Sequence, residues 1–272
     1  MKKINKIFKT SRPVIGMVHL MALPGTPKYA GSVQQIIDRA LMEAIVYQKS
    51  GIDGLAIENM HDVPYLKNNA GHEISSLMAI AGHEIKKETG LPCGIQILSS
   101  ANEAAISAAH SAGLDFVRAE GFVFGHLADE GYIDANAGGL LRHRKKIGAE
   151  HIPIWTDIKK KHSSHALTAD VDIVETAKAA EFFLSDALIV TGSSTGRSAD
   201  INEIKKVKAA CNIPVVAGSG IDINNVAKYM EVCDAMIVGS YFKQDGYWAN
   251  RLVGEKVSRF MEAVNALRKG VV

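Results

Sequence analysis

Asp157, Lys159 and Lys161 stand two residues apart at the end of an apolar run, Ile152-Pro-Ile-Trp-Thr156. If a strand continues past Thr156, all three side chains point the same way. A carboxylate beside a lysine has its pKa lowered and holds the ammonium in place. A partly desolvated lysine can also act as a base or form a Schiff base with a carbonyl. Lys159 and Lys161 are therefore expected to face one site, with Lys159 the deeper, and Lys160 to belong to a solvated basic loop. His162 adds a proton carrier. Other polar residues end other apolar runs: His19, Glu58, Asn59, Gln96, Arg118 and Glu120. Such groups are costly in a water-shielded place unless they are paired or used. Asp157, Lys161, His162 and Glu58 are the candidate catalytic set. The alternative is a structural network in which Glu58 and Glu120 pair with Arg118 and Lys159.

A second group of residues suits an anion. Ala187-Leu-Ile-Val190 runs into Thr191-Gly-Ser-Ser-Thr-Gly196, Pro214-Val-Val-Ala217 into Gly218-Ser-Gly220, and Ala235-Met-Ile-Val238 into Gly239-Ser240. A bare apolar run of this length reads as a strand buried on both faces. Glycines just past its end let backbone N–H groups approach a ligand. Thr191, Gly192, Gly218, Ser219, Gly220, Gly239 and Ser240 are the candidate phosphate-binding residues. The alternative is that these glycines only make tight turns.

Both groups need strands that end at one face, and the order of elements supplies them. Strands are expected at Val14–His19, Gly54–Ile57, Gly94–Leu98, Asp115–Arg118, Ile152–Thr156 and in the three runs above. Each is followed by a helical pattern, for example the one capped by Ser32. Eight strand–helix alternations without a break imply parallel strands and close a (β/α)8 TIM barrel, the expected fold for a single domain of residues 1–272. Connections from helix to strand are terse, as in Ser50-Gly51 and Gly90-Leu-Pro92. Those from strand to helix are long and polar, so the mouth lies at the strand C-terminal ends. The longest of these loops, Glu120 to Asn136, is expected to close over a substrate and exclude water.

Composition narrows the class. A net charge of +2 gives no argument for nucleic acid, and no apolar run approaches the roughly 18 residues of a membrane span. Cys93, Cys211 and Cys233 form no CxxC pair, which suits buried reduced thiols in the cytoplasm. The basic segment 1–12 carries Ile4, Ile7 and Phe8 on one side, with Lys2, Lys3, Lys6 and Lys9 around them. It is expected to plug the barrel bottom, and contact with a membrane surface is the alternative. No cofactor is expected. A divalent metal stays open at the same polar strand ends, although no HxH, HxxxH or HExxH spacing is present. Gly192-Ser-Ser-Thr-Gly-Arg-Ser198 has three residues between its glycines and no following lysine, so it is not a P-loop. Gly218-Ser-Gly-Ile-Asp222 lacks the third glycine of a dinucleotide site.

The chain resembles the BtpA/SgcQ family of ribulose-phosphate-binding-type barrels from about Arg12 to Met261. The likeness rests on Gly16-Met-Val-His-Leu20, Glu58-Asn59 with Asp62-Val-Pro64, and Lys161-His162 after Asp157. It continues through Thr191-Gly192 with Thr195-Gly196, Gly218-Ser-Gly220, Val238-Gly-Ser240 and Phe242-Lys243. It is most similar to the SgcQ-like bacterial branch and departs from the family at Ile158-Lys159-Lys160. The resemblance implies the ribulose-phosphate-binding type of barrel and a link to sugar phosphates. Through cyanobacterial relatives it also implies a link to photosystem I accumulation. The expected function is that of an isomerase, lyase or glycosyl-bond-cleaving enzyme on a small phosphorylated metabolite, with a homo-oligomer left open. The alternative is a non-catalytic assembly or membrane-surface factor.

Overall fold

The structure is a computed structural model that describes residues 4–192, 194 and 196–270. Eight strands, all of them buried, form the centre: β1 (Val14–His19), β2 (Gly54–Glu58), β3 (Cys93–Gln96), β4 (Phe116–Ala119), β5 (Ile154–Ile158), β6 (Ala187–Thr191), β7 (Val215–Gly218) and β8 (Ala235–Val238). All pairings in this ring are parallel and it closes β1 on β8, so the barrel has no edge strand. The helices between and after them, from Val33–Lys49 to Gly254–Arg268, cover the outside. Ser32, Asp172 and Asp200 cap three of these helices by accepting a backbone N–H through the side chain.

Alternation along each strand splits the core in two. Outward residues such as Leu55, Ile95, Val117 and Leu188 pack under the helices. Inward residues, among them Ile15, Met17, Ala56, Phe116, Trp155, Ile189, Val216 and Ile237, fill the barrel. Phe116 and Trp155 stack with centroids 4.1 Å apart. Gly94 makes room for them, because a Cβ there would collide with the Phe116 ring. Phe8 closes the lower end, its ring 6.3 Å from Phe116 and 6.2 Å from Trp155, and Ile4 lies in the same cluster. Lys2 and Lys3 lie outside the described residues.

Four aspartates stitch the N-terminal ends of the strands. Asp53 accepts the backbone N–H of Val14, Asp115 that of Cys93, Asp186 that of Ile154 and Asp234 that of Val215. Each also meets a cation: Arg268, Lys86, Arg144 and Lys208, in that order. Each aspartate stands at the start of an even strand and ties down the odd strand before it. The lower face is thus given over to stability, which leaves the upper one for chemistry.

Two expected loops have structure of their own. Within 120–136, His126–Ala128 and Gly131–Ile133 pair as a hairpin. Ser163–Ser164 adds to it as a third antiparallel strand, through Leu127 with Ser164 and Ala128 with Ser163. Strand five runs to Ile158, two residues beyond Thr156, and the following helix begins at Ile173. Cys93, Cys211 and Cys233 are buried and free.

Candidate active site at the barrel mouth

Continuing the inward alternation to the upper ends of the strands brings the chemistry together. His19, Glu58 and Gln96 align in register across β1, β2 and β3. Arg118, Asp157 and Thr191 are the inward residues of β4, β5 and β6, and all three are buried. The inward positions of β7 and β8 fall to Gly218 and Gly239, so that side of the mouth is open. There a cavity of about 190 Å³ is lined by Ser219, Gly220, Gly239 and Ser240 on one side and by His19, Glu58, Arg118 and Lys161 on the other. Of the expected anion group, Ser219, Gly220, Gly239 and Ser240 line this space, and of the expected polar group His19, Glu58, Arg118 and Lys161 do; Thr191, Gly192 and Gly218 are not among its lining residues.

The glycines do different jobs. A Cβ on Gly239 would point at Met17 and His19, 3.3 Å and 3.7 Å away, which narrows the cavity without striking backbone. A Cβ on Gly192 or Gly220 would collide with the backbone of Arg197 and Ser198, so these two let the loop after β6 lie against the loop after β7. Asn225 holds this arrangement by donating to the Gly220 carbonyl at 2.9 Å. Ser219 has a positive φ of 76° and donates its hydroxyl to the Ser194 carbonyl. Thr195, part of the quoted motif, lies outside the described residues.

The charged groups form defined pairs. Arg118 grips Asp157 with two hydrogen bonds, Nε to Oδ2 at 2.7 Å and Nη2 to Oδ1 at 3.0 Å. Burial alone would lower the Arg118 pKa, but the Asp157 charge and hydrogen bonds outweigh it and the pKa is raised. Glu58 is raised above the usual carboxylate range by burial, against the pull of Arg118 and Lys161. Lys161 is lowered by burial and by Arg118, with Glu58 and Asp157 opposing. His19 Nε2 lies 3.5 Å from Glu58 Oε2, the distance of a weak ion pair. Burial and Lys243 lower His19 to about 3, so at neutral pH the ring is uncharged and this contact is not a salt bridge. Its Nδ1 faces the Trp248 carbonyl at 3.2 Å, which assigns the proton to Nδ1 and leaves Nε2 as an acceptor toward Glu58.

Three expectations about side-chain direction are corrected. Strand five ends at Ile158, and Lys159 takes a positive φ of 50°. Lys159 therefore turns away from the mouth and donates to the Val171 carbonyl at 2.6 Å. Lys160 is not in a solvated loop: it is 9% exposed and lies 3.5 Å from Glu120 and 3.8 Å from Glu130. The network linking Glu58 and Glu120 to Arg118 and Lys159 is replaced by Arg118–Asp157 and Lys160–Glu120. Asn59 lies one residue past Glu58, on the outward phase. It accepts the Leu98 N–H at 2.7 Å and donates to Asp62 at 2.8 Å, tying the loop after β2 to that after β3. His162 is exposed, beside Lys161 at the edge of the mouth, and its pKa is lowered by burial and by Lys161.

Lys243 was missed as a site residue in its own right. Its Nζ, 1% exposed, meets Glu43 Oε2 at 2.6 Å and so anchors the turn Ser240–Phe242 to the helix Val33–Lys49. The signal was a lysine directly after a buried aromatic, Phe242. Trp248, whose carbonyl fixes the His19 tautomer, left no periodic signal. Among the described residues, no three His, Cys, Asp or Glu side chains group closely enough to hold a metal ion.

A closed parallel eight-stranded ring with its polar residues at the strand C-terminal ends is a (β/α)8 TIM barrel. The chain belongs to the BtpA family, which it matches over residues 10–266. It is 47% identical to a mitochondrial protein of Caenorhabditis elegans over 98% of each chain. It is 30% identical to the photosystem I biogenesis protein BtpA of Synechocystis, covering 94% of this chain and 89% of the relative. Among solved structures, thiamine phosphate pyrophosphorylase of Pyrococcus furiosus superposes with a TM-score of 0.58 at 12% identity, over 94% of this chain and 96% of that one. Phosphoribosyl anthranilate isomerase of Thermus thermophilus does so with 0.58 at 13%, over 94% and 99%. At these identities the likeness is one of fold. No helix among the described residues is long and apolar enough to cross a membrane.

Proposed function

We propose that the protein is an enzyme acting on a small phosphorylated metabolite, a sugar phosphate or phosphoribosyl compound. The observation that carries this reading is the two-sided cavity. The backbone-rich ends of β7 and β8, with no inward side chain at Gly218 or Gly239, face Lys161 and Glu58 across it. Backbone groups in glycine-rich turns after strands seven and eight are suited to a phosphate. Several barrels of like fold bear the names of enzymes of phosphorylated compounds, which agrees with the reading.

In this reading Arg118 is a fixed positive charge held by Asp157, and it does not move protons. Lys161, its pKa lowered by burial, is the group suited to exchange a proton or attack a carbonyl. Glu58, raised by burial, can hold a proton and pass it on. The neutral His19 ring lies beside Glu58, its Nε2 3.5 Å from Oε2. The supported reaction class is proton transfer or carbonyl chemistry next to an anchored phosphate.

A non-catalytic membrane-surface role, as the name of the cyanobacterial relative suggests, has less to rest on. Ile4 and Phe8, the apolar side of the basic segment, are 2% and 3% exposed inside the barrel. The test is thermal unfolding against pairs of sugar phosphates and their free sugars. Stabilisation follows RT ln(1 + [L]/Kd), so it should appear with the phosphates and be absent with the matched sugars. Equal shifts in each pair would sink the phosphate assignment.

A further inference from the structure

Beside the cavity against the glycine loops lies a second chamber of about 260 Å³. Glu58, Met60 and Lys161 line both. The far chamber makes the opposite chemical demand. Glu120, Asp129 and Glu130 join Glu58 there, against Lys160 and Lys161. Lys160 is shared between Glu120 Oε2 at 3.5 Å and Glu130 Oε2 at 3.8 Å, within ion-pair range but without a hydrogen bond. Neither oxygen has a hydrogen-bond donor among the described residues, although the two side chains are only 4% and 8% exposed.

Gln96 adds a second kind of observation. It is 2% exposed and in register with Glu58 on the inward face, and neither its amide nitrogen nor its oxygen has a partner among the described residues. Buried polar atoms are nearly always hydrogen-bonded, and leaving them unmade is costly. Acceptors in excess around the chamber, with the unpartnered Gln96 amide buried beside Glu58, point to a ligand that brings hydroxyl donors. Four carboxyl groups around the chamber, Asp129 and Glu130 among them, outnumber Lys160 and Lys161 and so disfavour a second anion. Trp248 supplies an apolar wall on which the C–H face of a sugar can lie.

Building on the phosphate reading above, we propose that the ligand is a monophosphorylated polyhydroxy compound. Its phosphate-free end is uncharged, carries hydroxyl groups, and enters the chamber of Glu120, Asp129 and Glu130. Bisphosphates and phosphorylated sugar acids are excluded by the same carboxylates. Lys161 and Glu58, at the junction of the two chambers, then face the middle of the ligand, between its phosphate and its hydroxyl end.

The test is calorimetric titration of the full chain with inorganic phosphate, three sugar monophosphates (ribose 5-phosphate, ribulose 5-phosphate and fructose 6-phosphate), ribulose 1,5-bisphosphate and 6-phosphogluconate. At least one monophosphate should bind about tenfold or more tighter than inorganic phosphate, the bisphosphate and the acid. Glu130→Gln should weaken that monophosphate toward inorganic phosphate while leaving phosphate itself unchanged. Glu130→Lys should improve the acid relative to the monophosphate. The ligand series on the unaltered protein stands even where a variant fails to fold. If no phosphate compound binds, the phosphate reading and this inference fall together. If phosphate compounds bind but the bisphosphate or the acid binds as tightly as the best monophosphate, the phosphate reading survives and this inference is overturned.

Discussion

Arg118 and Asp157, on neighbouring strands of the barrel, meet through two hydrogen bonds of 2.7 Å and 3.0 Å, with side chains 6% and 1% exposed. The pair joins Asp157, a candidate catalytic residue in the sequence, to Arg118 as one rigid element. Removing one partner leaves the other charge buried and alone, at a cost of about 3–5 kcal/mol. Asp157→Ala should therefore lower the denaturation free energy by about that amount. The double replacement Arg118→Met with Asp157→Leu should recover most of the loss. A double variant no more stable than the single one would contradict a coupled pair.

Lys159 and Lys161 should separate cleanly in kinetics once a substrate is known. Lys161→Ala should lower kcat and kcat/KM together, because the group acts in the transition state, with phosphate-ligand affinity kept within about threefold. Lys159→Ala should change neither, since its ammonium is held by the Val171 carbonyl away from the mouth. Loss of turnover in Lys159→Ala with normal turnover in Lys161→Ala would reverse the assignment.

Phe8 seals the lower barrel, 3% exposed against Phe116 and Trp155. Phe8→Ala should cost about 3–5 kcal/mol, the range for truncating a buried aromatic. A change within about 0.5 kcal/mol in denaturant unfolding, the size expected of a surface substitution, would show that the segment is not part of the core.

His19 makes a signed pH prediction. Its folded pKa is lowered to about 3 from 6.5, so its contribution to stability is complete above 6.5 and is lost as pH falls toward 3. Glu58 and Glu120, both raised by burial, act in the opposite sense, and their contribution is lost as pH rises through their folded values. The difference between variant and parent isolates the histidine. The Tm of His19→Gln minus that of the parent should become more positive as pH is lowered from about 6.5 to 4. A constant or falling difference would contradict a buried neutral ring.

The barrel and the inward residues of the mouth were legible because a strand has a period of two. Once Met17, Ala56, Phe116, Trp155 and Ile189 face inward, His19, Glu58, Gln96, Arg118, Asp157 and Thr191 must follow. Legibility stopped where the alternation stops. Asn59 and Lys159 lie just past strand ends, and a lysine at φ 50° leaves no trace in composition or pattern. The burial of Lys160 depends on Glu120 and on Glu130 in a hairpin thirty residues upstream, a tertiary fact. The aspartate stitches could have been read: Asp53, Asp115, Asp186 and Asp234 each sit one residue before an apolar run or at its start, and that recurrence marks the lower face.

The central claim is that the glycine ends of β7 and β8 hold a phosphate opposite Lys161 and Glu58. Gly239→Val tests it most directly, because its side chain would enter the cavity beside Met17 and His19 without striking backbone. The measurement is calorimetric titration of the parent and of Gly239→Val with a sugar phosphate and its free sugar. The parent should bind the phosphate and not the sugar, and Gly239→Val, folded with an unchanged Tm, should bind neither. Binding of the free sugar as tightly as the phosphate, or undiminished phosphate binding in Gly239→Val, would contradict it.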